Sequence, residues 1–234
     1  MTDAPSPLLH VDGLDAYYGH AQALFGVSFA LAEGEAIALV GRNGAGKSTT
    51  MKAIMGLIDA RARRLTFKGD DIAGRPPHRI ARLGIGYVPE ERRIFTDLTV
   101  AENLEVGRLP PRPGRAAWTP ERLFEIFPNL AEMSRRSAGR MSGGEQQMLS
   151  IARTLMGNPD LVLLDEPSEG LAPIIVDQMA HAILAMKAEG IAILLSEQDL
   201  DFAADIAGRA LLLETGTVTY DGPMAALLEK SIRN

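Results

Sequence analysis

A chain of 234 residues with 46% hydrophobic and 23% charged residues is long enough for one large α/β domain that buries roughly 70% of its unfolded surface. Its net charge of −6 argues against a general nucleic-acid binder, for which a basic balance is expected, and the absence of cysteine excludes disulfides and thiolate chemistry. No apolar run approaches the about 20 residues of a membrane-spanning helix, and Met1 to Pro7 lack the basic-then-apolar pattern of a secretory signal, so a cytosolic location is expected.

Leu8 to Val11 and Leu24 to Phe29 read as antiparallel strands, with Glu33-Gly34-Glu35 turning the chain into the next one. Tyr18 lies between them, where an aromatic ring either stacks on an adenine base or packs a strand. Ile37-Ala38-Leu39-Val40 is a short apolar run of the kind a buried parallel strand shows. Directly after it comes Gly41-Arg42-Asn43-Gly44-Ala45-Gly46-Lys47-Ser48, a full match to GxxxxGK[ST]. Gly41, Gly44 and Gly46 lack a Cβ, so the backbone is free to turn its N–H groups onto a polyanion without a side chain blocking the approach. Arg42, Asn43 and Ala45 complete that cradle; Lys47 offers a point charge to the β- and γ-phosphates, Ser48 a hydroxyl to Mg²⁺, and Thr49 a further hydroxyl. Met51, Ile54, Met55 and Ile58 follow at helical spacing, so a helix N-terminus with its free N–H groups points at the phosphates.

Leu65-Thr66-Phe67 and Ile72 read as a hairpin turned by Gly69-Asp70, Pro76 to Leu83 as a short helix, and Ile85 to Val88 as a strand. Residues 89 to 140 change texture to charge and loop, with a Pro/Gly/Arg-rich segment from Leu109 to Pro120 and the only tryptophan, Trp118. This predicts an α-helical lobe over residues 89–145 inserted into an α/β core of 1–88 and 146–234. The paired arginines, Arg92-Arg93 among them, are expected to be solvated. The core resumes with a helix over Gln146 to Met156, a buried strand Leu161 to Leu164, a helix Pro173 to Ala188 and a strand Ile191 to Leu195. Strand and helix alternate, the pattern of a parallel sheet covered by helices. A hairpin, Leu211 to Glu214 with Val218 to Tyr220, precedes a C-terminal helix after Pro223. The four histidines, His10, His20, His78 and His181, show no ligand spacing.

Asp165-Glu166 ends the strand Leu161 to Leu164, and ligands in open parallel sheets bind beyond the carboxyl ends of strands. Asp165 is the candidate for holding Mg²⁺ and Glu166 for orienting or deprotonating an attacking water. A second glycine-containing helix start, Met141-Ser142-Gly143-Gly144-Glu145-Gln146-Gln147, also suits an anion. On its own it is a capping box of Ser142 and Glu145. Two grips in one chain make sense if two copies, arranged head to tail, close on the nucleotide from opposite sides.

With these residues in view the chain resembles the ATP-binding cassette (ABC) ATPases over nearly its whole length. Gly41 to Ser48 looks like the family's Walker A motif, Leu161 to Glu166 its Walker B with the catalytic glutamate, Met141 to Gln147 its signature, and Ser168 to Leu171 its D-loop. The resemblance implies a P-loop α/β core with an antiparallel β subdomain and a helical subdomain. It also implies ATP and Mg²⁺, adenine stacking by Tyr18, and a dimer in which Ser142, Gly143, Gly144 and Glu145 reach across to the other subunit's nucleotide. Two positions depart from the general pattern: Glu90 stands where the lobe usually begins with a glutamine and would serve as an oxygen ligand near Mg²⁺, and Gln198 stands at the switch histidine. Both departures, with Glu166 to Pro173, resemble one of the two ATPase subunits of branched-chain amino acid importers. That implies separate transmembrane permease subunits, a second ATP-binding subunit, an indirectly linked solute-binding protein, and a place on the inner face of the membrane. A lipid-exporting relative, or a soluble ATPase of ribosomes or DNA, is the alternative.

Gln198 donates an amide hydrogen but cannot become a cation, so hydrolysis is expected to lack a histidine-like bend near pH 6.5. Glu166→Gln is expected to lower ATP hydrolysis at least about 10²-fold while ATP binding persists. Steady-state turnover set beside equilibrium nucleotide binding checks this, and wild-type turnover would remove Glu166 as the base.

Overall fold

The computed structural model describes residues 6–232 apart from 113 and 115. The first half of the chain runs β1 (Leu9–Tyr18), β2 (Ala21–Leu31), β3 (Ala36–Val40), α1 (Lys47–Ile54), β4 (Asp59–Arg61), β5 (Arg64–Phe67), β6 (Asp70–Asp71), α2 (Pro77–Leu83) and β7 (Ile85–Val88). Helices α3 (Val100–Gly107), α4 (Pro120–Ile126), α5 (Pro128–Glu132) and α6 (Gly143–Leu155) follow. The chain closes with β8 (Leu161–Asp165), α7 (Pro173–Ala188), β9 (Ala192–Glu197), α8 (Leu200–Ile206), β10 (Arg209–Glu214), β11 (Thr217–Pro223) and α9 (Met224–Ile232).

Two sheets form. The larger has the order β11-β10-β3-β9-β8-β7, parallel from β10 to β7 with β11 antiparallel at one edge. The smaller, with β1 at its centre, is antiparallel. Period-two alternation sends the parallel strands' side chains to opposite faces. Ile37, Leu39, Leu161, Leu163 and Leu194 pack with Leu9, Leu24, Phe67, Met51 and Ile54 toward the antiparallel sheet and α1. Ala38, Val40, Val162, Leu164, Ile193 and Leu195 pack with Met148, Ile151, Met179, Ile183 and Phe202 of α6, α7 and α8. Burial on both faces is why β3, β8 and β9 read as unbroken apolar runs.

Several expectations change. The helix after the phosphate loop stops at Ile54, because Gly56 takes a left-handed φ of 65° and its N–H bonds to Ala53; Ile58 therefore lies off the helix. β1 extends to Tyr18, so that residue ends a strand and does not lie between two. β4 and α8 carry no apolar run long enough to announce them, although Asp199 caps α8 through the N–H groups of Asp201 and Phe202. β10 is more than half of a hairpin: it lies parallel beside β3. α6 begins at Gly143 and runs unbroken past 145.

The segment before α4 is tied down. Asn158 accepts the Trp118 N–H at 2.8 Å and donates to Leu109 O at 2.9 Å, and Trp118 is buried in the larger core. Asp160, at the head of β8, pairs with Lys68 from beyond β5 and with Arg112 at 3.1 Å.

Leu194 is fully buried in the centre of the parallel sheet. Leu194→Ala is expected to cost about 2–5 kcal/mol, read as a lower urea midpoint at unchanged slope.

Candidate active site

The strand ends converge. In register, Leu164 of β8 pairs with Leu195, Asp165 with Ser196, and Val40 of β3 with Glu197. The chain leaves Val40 into the phosphate loop, β8 into Glu166 and β9 into Gln198, so the loop, the acid pair and the amide share one edge.

Sterics explain two of the loop glycines. A Cβ on Gly41 would lie 2.3 Å from the Leu213 carbonyl of β10, and one on Gly46, at φ 109°, would lie 2.8 Å from Leu24. The protein behind the loop thus also forbids side chains at Gly41 and Gly46, a constraint added to the approach of a polyanion from the front. The turn after β10 clasps the loop as well: Gly216 donates to Ala45 O at 2.9 Å, and Phe25 of β2 donates to Gly216 O at 2.9 Å.

Lys47 is 3% exposed. Its Nζ donates to Gly41 O at 2.8 Å and pairs with Glu166 Oε1 at 3.0 Å. Glu166 adopts a left-handed φ of 45°, a strained conformation for a non-glycine residue, and its Oε2 accepts Gln198 Nε2 at 2.7 Å. The switch-position amide thus holds the candidate base. Burial works to raise the Glu166 carboxyl, but hydrogen bonds with Glu169, Lys47 and Gln198 outweigh it and hold the group below the usual carboxylate range.

Ser48 Oγ donates to Asp165 Oδ1 at 2.9 Å and Tyr87 to Asp165 Oδ2 at 3.0 Å. Burial raises the Asp165 carboxyl, with the Ser48 and Tyr87 hydroxyls pulling the other way; burial and the Asp165 charge push the Tyr87 phenol up. A hydroxyl and a buried carboxylate are hard oxygen donors. Mg²⁺ takes one or two carboxylates from protein and keeps water and phosphate oxygens for the rest, so Ser48 and Asp165 fit it. Glu90 is exposed, and among the described residues no hydrogen bond or ion pair joins it to Ser48 or Asp165. Its charge acts instead on Glu169.

Tyr18 is 49% exposed, its hydroxyl 3.4 Å from Thr49 Oγ1, which sets the ring beside the start of α1. Ser142 and Glu145 form the reciprocal capping box, Ser142 N–H to Glu145 Oε2 at 2.6 Å. A Cβ on Gly143 would meet the Arg92 guanidinium and one on Gly144 would meet Ile175. Arg92 is therefore not simply solvated; its carbonyl also accepts from Ser150 Oγ at 2.6 Å. Among the described residues no hydrogen bond or ion pair links residues 142–145 to residues 41–48.

Sequence reasoning missed two acids. Glu169 follows a turn closed by its N–H on Glu166 O at 3.2 Å. Hydrogen bonding to Glu166, then burial and the charges of Glu166, Glu90 and Glu197, push its carboxyl up to about 7. Glu197 is buried beside Gln198. Both lie within the motif neighbourhoods the sequence marked, next to the acid pair and the switch position.

A phosphate loop set between a buried parallel strand and a helix, faced by a carboxylate pair from a nearby strand end, defines a P-loop nucleotide-binding cassette. The family model described as ABC transporter matches residues 24–169. The chain is 42% identical over 221 residues to the high-affinity branched-chain amino acid transport ATP-binding protein BraG of Pseudomonas aeruginosa, covering 94% of this chain and 95% of that protein. It is 34% identical to the probable branched-chain amino acid transport ATP-binding protein LivF of Archaeoglobus fulgidus, covering 95% of this chain and 94% of that one. Among solved structures, a nucleotide-free ATP-binding cassette from an ABC transporter superposes with a TM-score of 0.81 at 28% identity, over 97% of this chain and 96% of that one. The chain belongs to the ABC transporter family as an ATP-binding, ATP-hydrolysing subunit.

Gln198 removes a titrating imidazole, but Glu169 places a raised carboxyl beside Glu166. Its folded pKa of about 7 stands above the ordinary 4.5, so the native state holds a proton that the unfolded chain has released, and stability falls as pH rises across that interval. The melting temperature of wild type relative to Glu169→Gln is therefore expected to decline from pH about 5 to about 8. A constant difference across that range would show that Glu166 and Glu169 share no proton.

Proposed function

We propose that this chain is the ATP-hydrolysing subunit of an importer for branched-chain or other hydrophobic amino acids. In this reading Lys47 and the backbone of residues 41–48 hold the phosphates, Tyr18 stacks on the base, and Glu166 orients and deprotonates the attacking water. Ser48 and Asp165 hold Mg²⁺, which when bound supplies positive charge to the phosphate oxygens. Gln198 carries the amide that aims Glu166. The likeness to BraG, extending over nearly both chains, supports the solute class.

The observation that carries the dimer is the separation of the two grips. Residues 142–145 satisfy one another and leave residues 41–48 alone, which fits a second ATP-binding subunit, alike or similar, donating its signature to this chain's nucleotide. Closure of such a pair on ATP, and its release on hydrolysis, is a hinge-like motion biased by the γ-phosphate.

No helix among the described residues is long and apolar enough to cross a membrane, and the proposal assigns the solute path to separate permease subunits at the inner face. Their dock is the groove between α2, β7, α3 and α6. Leu57, Phe95 and Val106 are exposed on it at 42%, 47% and 56%. Arg153 stacks on Phe95 at 5.1 Å and donates to Arg93 O at 2.7 Å, while its buried Nη1 has no partner among the described residues. An apolar groove of this kind suits the apolar face of an amphipathic helix. A solute-binding protein would act on the far side of the permease.

Gentle detergent extraction of native membranes with this chain as bait is expected to recover integral membrane subunits and a second ATP-binding subunit. Val106→Asp is expected to lose the membrane subunits and keep ATP binding. Recovery with ribosomes or DNA alone would overturn the importer reading.

A further inference from the structure

Glu197 is 2% exposed and has no part in the chemistry assigned above. It makes no ion pair among the described residues, yet both its oxygens are occupied. Oε1 accepts the Ser168 N–H at 3.2 Å and the Ser168 hydroxyl at 2.7 Å; Oε2 accepts the Gln198 N–H at 3.2 Å. A buried carboxylate without a cation is costly, and a single cap on Ser168 would need only one of its oxygens. What a carboxylate adds is two acceptor atoms rigidly joined. Here one grips the loop after Glu166 and the other grips the residue whose side chain holds Glu166.

The rest of the circuit is short. Gln198 Nε2 reaches Glu166 Oε2 at 2.7 Å. Ser168 lies two residues beyond Glu166, in a loop whose tip, Glu169 and Gly170, is exposed. That loop is also closed on itself, by Glu169 N–H to Glu166 O at 3.2 Å and Leu171 N–H to Ser168 O at 3.2 Å, so a push on its tip moves Ser168 with it. Burial raises the Glu197 carboxyl while the Ser168 and Gln198 bonds lower it.

We propose that Glu197 is a positioning residue that couples the exposed loop 167–172 to Gln198, and through Gln198 to Glu166, so that contact on the loop sets the aim of the base. The coupling rests on the reading of Glu166 as base and of a second subunit facing that loop. A subunit that closes on the loop tip moves Ser168; Glu197 transmits the displacement to the Gln198 backbone; and the amide shifts against Glu166.

The test is a double-mutant cycle on the full chain, reading kcat, KM for ATP and melting temperature for Ser168→Ala, Glu197→Gln and the pair. Glu197→Gln keeps the shape and the bond to Ser168 but turns an NH₂ toward the Gln198 N–H. It is expected to lower kcat about 10- to 100-fold, the scale of a misplaced reacting group, with KM little changed. Ser168→Ala, at a half-buried loop position, folds in any case and is expected to lower kcat by a smaller factor. The pair is expected to be no slower than Glu197→Gln alone. Unchanged kcat in folded Glu197→Gln, or single effects that multiply in the pair, would overturn the coupling. Wild-type turnover by Glu166→Gln in the same assay would remove the base itself, a failure distinguishable from that of Glu197.

Discussion

Burial of the parallel sheet on both faces is the constraint on which the rest of this molecule depends. With Ile37, Leu39 and Leu194 committed to one core and Val40, Leu164 and Leu195 to the other, no polar side chain has a place along β3, β8 or β9 before their carboxyl ends. Everything chemical is driven to the strand ends. Because the strands run parallel, their carboxyl ends share one edge, and the phosphate loop, Asp165-Glu166 and Glu197-Gln198 arrive together there without any side chain having to reach far. The antiparallel sheet and the helices serve this arrangement by supplying the two apolar faces.

At that edge the Lys47–Glu166 pair is 3.0 Å apart and almost fully buried. Removing either partner would leave an uncompensated charge in so dry a site. Under the proposed roles, a bound phosphate and Glu166 would share Lys47, while Gln198 holds the other carboxylate oxygen of Glu166. The left-handed backbone at Glu166 keeps the side chain close to both.

Much of this was legible. The loop 41–48, its flanking strand and the acid pair follow from spacing and periodicity, because glycine, lysine and carboxylate each have one chemical reason to stand where they do. What escaped was set by tertiary partners. Nothing local tells that Gly41 is excluded from a side chain by Leu213 of a distant strand, or that Arg92 lies against Gly143. β4 is made of Asp, Ala and Arg, residues without strand preference, and exists because β1 offers it an edge. Glu169 and Glu197 were visible as letters, but their environments come from a turn and from burial, neither of which a charge count reveals.

The clasp of Gly216 between Ala45 and Phe25 joins the phosphate loop to β2 through backbone bonds alone, and β2 pairs with β1 up to Ala21 opposite Tyr18. The aromatic ring and the loop are thus two points on one stiff frame, set at a fixed interval before any nucleotide arrives. In the role proposed for Tyr18, such a frame would let a nucleotide engage ring and loop without first ordering the protein.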